Sequence, residues 1–314
     1  MTYSYYGDVA MTFALNTTFE SLVHDSASVF VHSLELEDLP QESQNVISSI
    51  TQNYKDRMHN ENAHALIVTD FNGVLYSKVA KKRADYASTS EIRKNLLGLT
   101  QNKQNHVYVA SSKKSEYLGA LLGDVPNLGL AAEHSLAIKG RDASHFTYRV
   151  HPQAAAAALA NIQEEIENTG NFWLAKEFAF STNYGYDSGD TQVPVVIAEL
   201  QKRLSSDDKF KANNVAFNIE DDTTNPTAPQ IKVMLAIKGK AYVVGEALKH
   251  YSYAFGLSLG DKPADEGMHE MMTKYGFLSV YVSADTNAQK KTAANYILRN
   301  PDEVAVLLRE LAKL

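Results

Sequence analysis

Four short stretches carry side chains of the right kind to do chemistry. They come in the order Asp70-Phe-Asn72-Gly73, Ser111-Ser112-Lys113, Lys238-Gly239 and Gly260-Asp261-Lys262-Pro-Ala-Asp265. Asp261 and Asp265, joined by Asp70, would make an all-oxygen site of the hard kind that suits Mg²⁺. Asn72 is a carboxamide: it can hold a loop and donate hydrogen bonds, but it cannot shuttle a proton near neutral pH. Each stretch alone has a plainer reading. Asp-x-Asn-Gly is a common turn after a strand. A serine after a strand often caps a helix. Most lysines are merely solvated, and a pair of acids can be a surface loop.

The elements that must position these groups are short apolar runs. Ala63–Thr69 ends at Asp70, His106–Ala110 at Ser111, and Tyr253–Leu259 at Gly260-Asp261; a fourth run spans Phe277–Ser283. Their length and the helical stretches between them predict buried parallel strands with helical crossovers. In such sheets ligands bind beyond the carboxyl ends of the strands. Asp70, Ser111 and Asp261 all stand at those ends.

Taken in order, the four stretches resemble the signatures of the haloacid dehalogenase superfamily. The resemblance implies a Rossmann-like parallel-sheet α/β core with an inserted α+β cap. It also assigns roles. Asp70 would be the nucleophile that forms an aspartyl-phosphate, and Ser111 and Lys238 would bind the phosphoryl group. Asp70, the backbone carbonyl of Asn72, Asp261 and Asp265 would hold or orient Mg²⁺. The position of Asn72 is normally an aspartate that serves as general acid and base.

Further stretches narrow the resemblance to trehalose-6-phosphate phosphatases. They are Glu133-His134-Ser135, Asp265-Glu266-x-Met268 and Thr292-x-Ala-x-Tyr296-x-Leu298 with Val304 following. The implied substrate is a sugar phosphate, trehalose 6-phosphate in particular, with Lys113, Glu133, Lys176, Glu177 and Tyr184 on the substrate side. Other subunits of trehalose synthesis are the implied partners. The chain departs from the family pattern at several points. Asn72 replaces the acid–base aspartate, Lys262 stands where the family has a second aspartate, and Ser135 replaces a glycine. Asn183-Tyr184-Gly185 occupies the place of His-Tyr-Arg, which removes a bidentate donor. Two functions follow: a Mg²⁺-dependent phosphatase impaired by Asn72, or a silent phosphatase-like unit that binds sugar phosphate or a partner.

The 314 residues suffice for a large α/β domain with an insertion. The expected division is an N-terminal extension and linker helix over 1–62, a core over 63–142 and 236–314, and a cap over 143–235. Within 1–62 the spacing of Val46, Ile47, Ile50, Tyr54 and Met58 predicts a helix. Within the cap, a helix is expected from Pro152 to Ile166 and another over Pro194–Leu204. Strands are expected at Phe178–Tyr184, Val215–Ile219 and Gln230–Leu235. A final helix should start at Asn300-Pro301 and bury Val304, Leu307, Leu308 and Leu311. A net charge of −7 gives no basic field for nucleic acid or anionic membrane. The absence of cysteine excludes thiolate chemistry and disulfides. No leader or membrane span is read from the sequence, so a cytoplasmic location is the expectation.

Overall fold

The computed structural model describes residues 34–76, 89–148, 172–177, 181–206, 216–222, 227, 229–236, 239–285 and 292–314. Its elements run α1 (Gln41–Arg57), β1 (Ala65–Asp70), α2 (Thr89–Gln101), β2 (Asn105–Ala110), α3 (Ser115–Leu122), β3 (Leu128–Ala132), β4 (Ala137–Lys139) and β5 (Thr147–Tyr148). They continue with β6 (Phe172–Glu177), β7 (Ser181–Tyr186), α4 (Val193–Ser206), β8 (Ala216–Asp222), β9 (Gln230–Ala236), α5 (Ala241–His250), β10 (Phe255–Gly260), α6 (Glu266–Lys274), β11 (Leu278–Val282), β12 (Tyr296–Leu298) and α7 (Pro301–Ala312).

Two sheets result. The larger has the order β12-β11-β10-β1-β2-β3-β4-β5. Its first six strands are parallel, and β4 and β5 close one edge as antiparallel strands. Strand β1 lies in the middle, in register with β10 on one side and β2 on the other, so Asp70 pairs across from Ala110. The smaller sheet, β6-β7-β9-β8, is wholly antiparallel and is inserted in the chain between β5 and β10. The parallel-sheet α/β core with an α+β insertion is therefore the architecture.

The apolar runs form parallel strands because helices bury them on both faces. Ala65 and Ile67 of β1 pack with Ile47 and Ile50 of α1, Leu96 of α2, Leu118 of α3 and Leu307 of α7. Leu66 and Val68 point to the opposite face, where they meet Val243 and Val244 of α5 and Met268 and Met272 of α6. Alternation along one strand thus serves two cores. Helix α7 begins as its sequence dictates: the Asn300 side chain accepts hydrogen bonds from the backbone N–H groups of Asp302 and Glu303, both at 3.0 Å, with Pro301 in the first turn.

Several expected bounds differ. Strand β5 belongs to the large sheet, although the expected insertion began at 143. Strand β8 runs to Asp222, three residues beyond the expected end at Ile219. The helix expected over 152–166 lies outside the described residues.

Candidate functional site

Asp70 is the last residue of the central strand and is 2% exposed. Its Oδ1 accepts a hydrogen bond from the Phe71 N–H at 2.6 Å and lies 2.8 Å from the ammonium of Lys240. Its Oδ2 is buried and has no hydrogen-bond partner. After Asp70 the chain turns sharply. Leu75 and Tyr76 donate backbone hydrogen bonds to the Phe71 carbonyl, and Gly73 takes a φ of 92°. That turn holds half-buried Asn72 two residues beyond the carboxylate.

The loop after β10 brings in the other acids. Asp265 is fully buried. Its Oδ2 accepts from the backbone N–H groups of Asp261 (2.9 Å) and Lys262 (3.1 Å), and its Oδ1 lies 2.5 Å from Lys240 Nζ. Gly260 makes this tuck possible: a Cβ there would stand 2.4 Å from the Asp265 Cβ. Carboxylate oxygens of Asp70, Asp261 and Asp265 all lie within 4.8 Å of one another. A buried, unpartnered carboxylate oxygen beside two further acids is an oxygen donor set that fits Mg²⁺. Asp70 and Asp261 are the direct ligands this geometry favours. Both oxygens of Asp265 are already engaged, so that residue braces the loop and the lysine.

Among the described residues the lysine beside Asp70 is Lys240. Lys238, the expected lysine, lies outside the described residues. Gly239 adopts a φ of 53°, and Lys240 stands at the start of α5, 4% exposed, between Asp70 and Asp265. Desolvation opposes its charge, but the two carboxylates outweigh it and hold the ammonium above the usual lysine range. A second ammonium, Lys262, reaches to 4.0 Å from Asp70 Oδ2 with 39% of its side chain exposed.

Ser111 is 1% exposed at the end of β2, and its Oγ accepts from the Lys113 N–H at 3.2 Å. The β2 and β3 loops are laced together: Glu133 N–H donates to the Lys113 carbonyl and His134 N–H to the Ser111 carbonyl. This lacing holds Glu133, His134 and Ser135 at positive φ (53°, 56° and 72°), a conformation costly for residues with a Cβ. Glu133 Oε1 accepts from both the N–H and the hydroxyl of Ser115, so it anchors the start of α3. Burial raises its pKa, and those hydrogen bonds oppose the rise. Burial, then the Lys240 charge, lowers His134 to about 4; Asp70, Lys262 and Asp265 also act on it. A neutral imidazole thus lies in the field of the acid–lysine cluster.

The cluster accordingly gathers Asp70, Asp261, Asp265, Lys240 and Lys262. Tyr184 lies elsewhere in kind: it is fully buried within β7 of the small sheet. Lys176 and Glu177 fall on β6, opposite Asn183 and Thr182, and their side chains are outside the described residues. Two motif residues prove to hold each other. Glu266 accepts from the Thr292 hydroxyl at 2.7 Å and the Ala293 N–H at 2.8 Å, which ties α6 to the segment ahead of β12.

Known proteins fit this picture. A family model described as trehalose-phosphatase matches residues 68–302. A trehalose-phosphatase of Schizosaccharomyces pombe is 20% identical over 257 residues, which are 81% of this chain and 29% of that protein. The chain thus spans less than a third of the curated relatives it matches. Among solved structures, trehalose-6-phosphate phosphatase of Aspergillus fumigatus superposes with a TM-score of 0.64 at 20% identity, covering 85% of this chain and 97% of that one. The C-terminal domain of a Candida albicans trehalose synthase regulatory protein gives a TM-score of 0.57 at 17% identity, covering 83% and 98%. At these identities the superpositions establish the fold alone, the mostly parallel α/β sheet with its inserted antiparallel sheet. The family model, covering well over half of the chain, establishes more: this chain belongs to the trehalose-phosphatase family.

Proposed function

We propose that this domain binds a phosphorylated sugar of the trehalose 6-phosphate class through the Asp70–Asp261–Lys240 cluster, with Mg²⁺, and that Asn72 impairs its turnover. The observation that carries the reading is a charged cluster assembled in full beside a carboxamide where an acid is needed. Asp70, the buried last residue of the central strand, is the candidate nucleophile. Attack on phosphorus would give an aspartyl-phosphate and expel the sugar oxygen. Lys240 lies beside Oδ1 of Asp70 and keeps compensating positive charge there. Bound Mg²⁺ would draw the phosphoryl oxygens toward Asp70 and offset their charge. Ser111, with its hydroxyl at the neighbouring strand end, is the further phosphoryl-side donor.

Asn72 can donate a hydrogen bond to the leaving oxygen, but it cannot supply the proton that oxygen needs. Nor can it activate the water that must release phosphate from Asp70. Loss of general acid–base help costs about 10²–10⁴-fold in rate. A second reading shares this observation: a regulatory or scaffolding unit of trehalose synthesis that binds sugar phosphate or a partner subunit without turnover. The resemblance to the C-terminal domain of a trehalose synthase regulatory protein supports it. Among the described residues no helix is long and apolar enough to cross a membrane.

The test is phosphate release from trehalose 6-phosphate with Mg²⁺ for the native chain and for Asn72→Asp, with Asp70→Asn as the blank. The expectation is that Asn72→Asp exceeds the native chain by about 10²-fold or more. A native chain as fast as Asn72→Asp refutes the impairment. If neither protein exceeds the blank, the regulatory reading stands alone. A rise in melting temperature with sugar phosphate then supports its sugar-phosphate-binding version, and no rise leaves only the scaffolding version.

A further inference from the structure

The cation site has a competitor built into its own loop. Three carboxylates, Asp70, Asp261 and Asp265, converge within 4.8 Å. Lys240 is committed to the Oδ1 atoms of Asp70 and Asp265, and Asp265 Oδ2 is committed to two backbone N–H groups. The Asp70 oxygen left without a hydrogen bond is Oδ2, and the Lys262 ammonium reaches to 4.0 Å from it. Asp70 is 2% exposed, whereas the Lys262 side chain is 39% exposed on a long flexible stem. The carboxylate is therefore fixed, and the lysine can leave. Three carboxylates and two ammonium groups give the cluster one net negative charge, so a divalent cation is still attracted. It must displace or crowd the lysine to reach Asp70 Oδ2.

We infer that Lys262 competes with the divalent cation for Asp70 Oδ2 and sets how tightly the site takes it. This inference rests on the cation-site reading above and adds a regulator to it. Without divalent cation, Lys262 screens Asp70. With the cation in place, the freed ammonium stands at the mouth of the site, beside the position an incoming phosphate dianion would take. The site is thereby tuned to hold its cation weakly until an anionic ligand makes a position for both charges.

The experiment measures Mg²⁺ binding alone, by calorimetry and by Mg²⁺-dependent melting, in the native chain, Lys262→Gln, Lys262→Arg and Lys274→Gln. Lys262→Gln should bind Mg²⁺ about three- to fivefold more tightly, the upper scale of a partly exposed ion pair. Lys262→Arg keeps the competing charge and should stay near the native value. Lys274→Gln removes the same unit charge at the far end of α6 and should change nothing. The inference is overturned if Lys262→Gln tightens binding by less than about threefold, or if Lys274→Gln tightens it equally. In either case measurable Mg²⁺ binding leaves the cation-site reading intact. Absence of Mg²⁺ binding in all four proteins overturns both.

Discussion

Replacing Lys240 by methionine removes an ammonium shared by Asp70 and Asp265 while roughly keeping the volume of the side chain. The two carboxylates are 2% and 0% exposed and lie 2.8 Å and 2.5 Å from the lost nitrogen. Two unit charges up to 4.8 Å apart repel by about 3.5 kcal/mol at an effective dielectric constant near 20. Breaking one side of a buried ion pair costs about 3–5 kcal/mol, in agreement. For a domain of this size that is a fall in melting temperature of roughly 6–15 °C. The pH dependence separates this cause from mere loss of packing. In the native chain the Lys240 pKa is raised above its unfolded value. Its contribution is therefore fully present below the ordinary lysine range and is lost only as pH rises through the higher folded value. Across the neutral range the native chain gains or loses nothing from it. In Lys240→Met the strain is repulsion between carboxylates, and protonating one of them relieves it. The deficit relative to native should shrink as pH falls from 8 to 5. The assay is calorimetric melting of both proteins at those two pH values with a chelator present, so that no divalent cation replaces the lysine. A loss below about 1 kcal/mol, or an equal deficit at both pH values, refutes the charge account.

Two further outcomes follow from strained or buried groups. Ser135 takes a φ of 72°, and its buried Oγ has no hydrogen-bond partner. Ser135→Gly should therefore raise stability by about 1 kcal/mol, read from denaturant midpoints, and a loss instead would show that the hydroxyl has a role in folding. His106 is buried at the start of β2, with Nδ1 2.8 Å from the Tyr253 hydroxyl; burial, then Arg141 and His64, lowers its pKa to about 4. A lowered folded value means that its contribution is present above about pH 6.5 and is lost as pH falls toward 4. The acid limb of stability against pH should flatten by about one proton in His106→Gln, and an unchanged slope in parallel melts rules this out.

What the sequence made legible follows from which physical signals are local. The four long parallel strands were readable because both of their faces are buried, which demands uninterrupted apolar runs, and Asp70, Ser111 and Asp261 follow from where those runs stop. The β4–β5 edge strands are too short to carry such a signal. Lys238 and Lys240 flank a glycine. Lys240 is the one of the two among the described residues, and it lies 2.8 Å from Asp70. Tyr184 is fully buried in β7, a placement its sequence left open because alternate strand residues face opposite ways. The same structure explains why a motif can be present without its chemistry. Gly260 leaves room for Asp265, Asp265 closes its own loop and orients Lys240, and Glu266 pins the 292–293 segment. Each of these residues is required by the fold whether or not phosphate is released. Asn72 and Lys262 are different. Asn72 is half-buried just beyond the central strand, and Lys262 is the more exposed partner in its ion pair with Asp70. On the proposed reading, substitutions at such positions would alter proton transfer and cation binding while the buried frame stands, so turnover could be lost from a site that still binds.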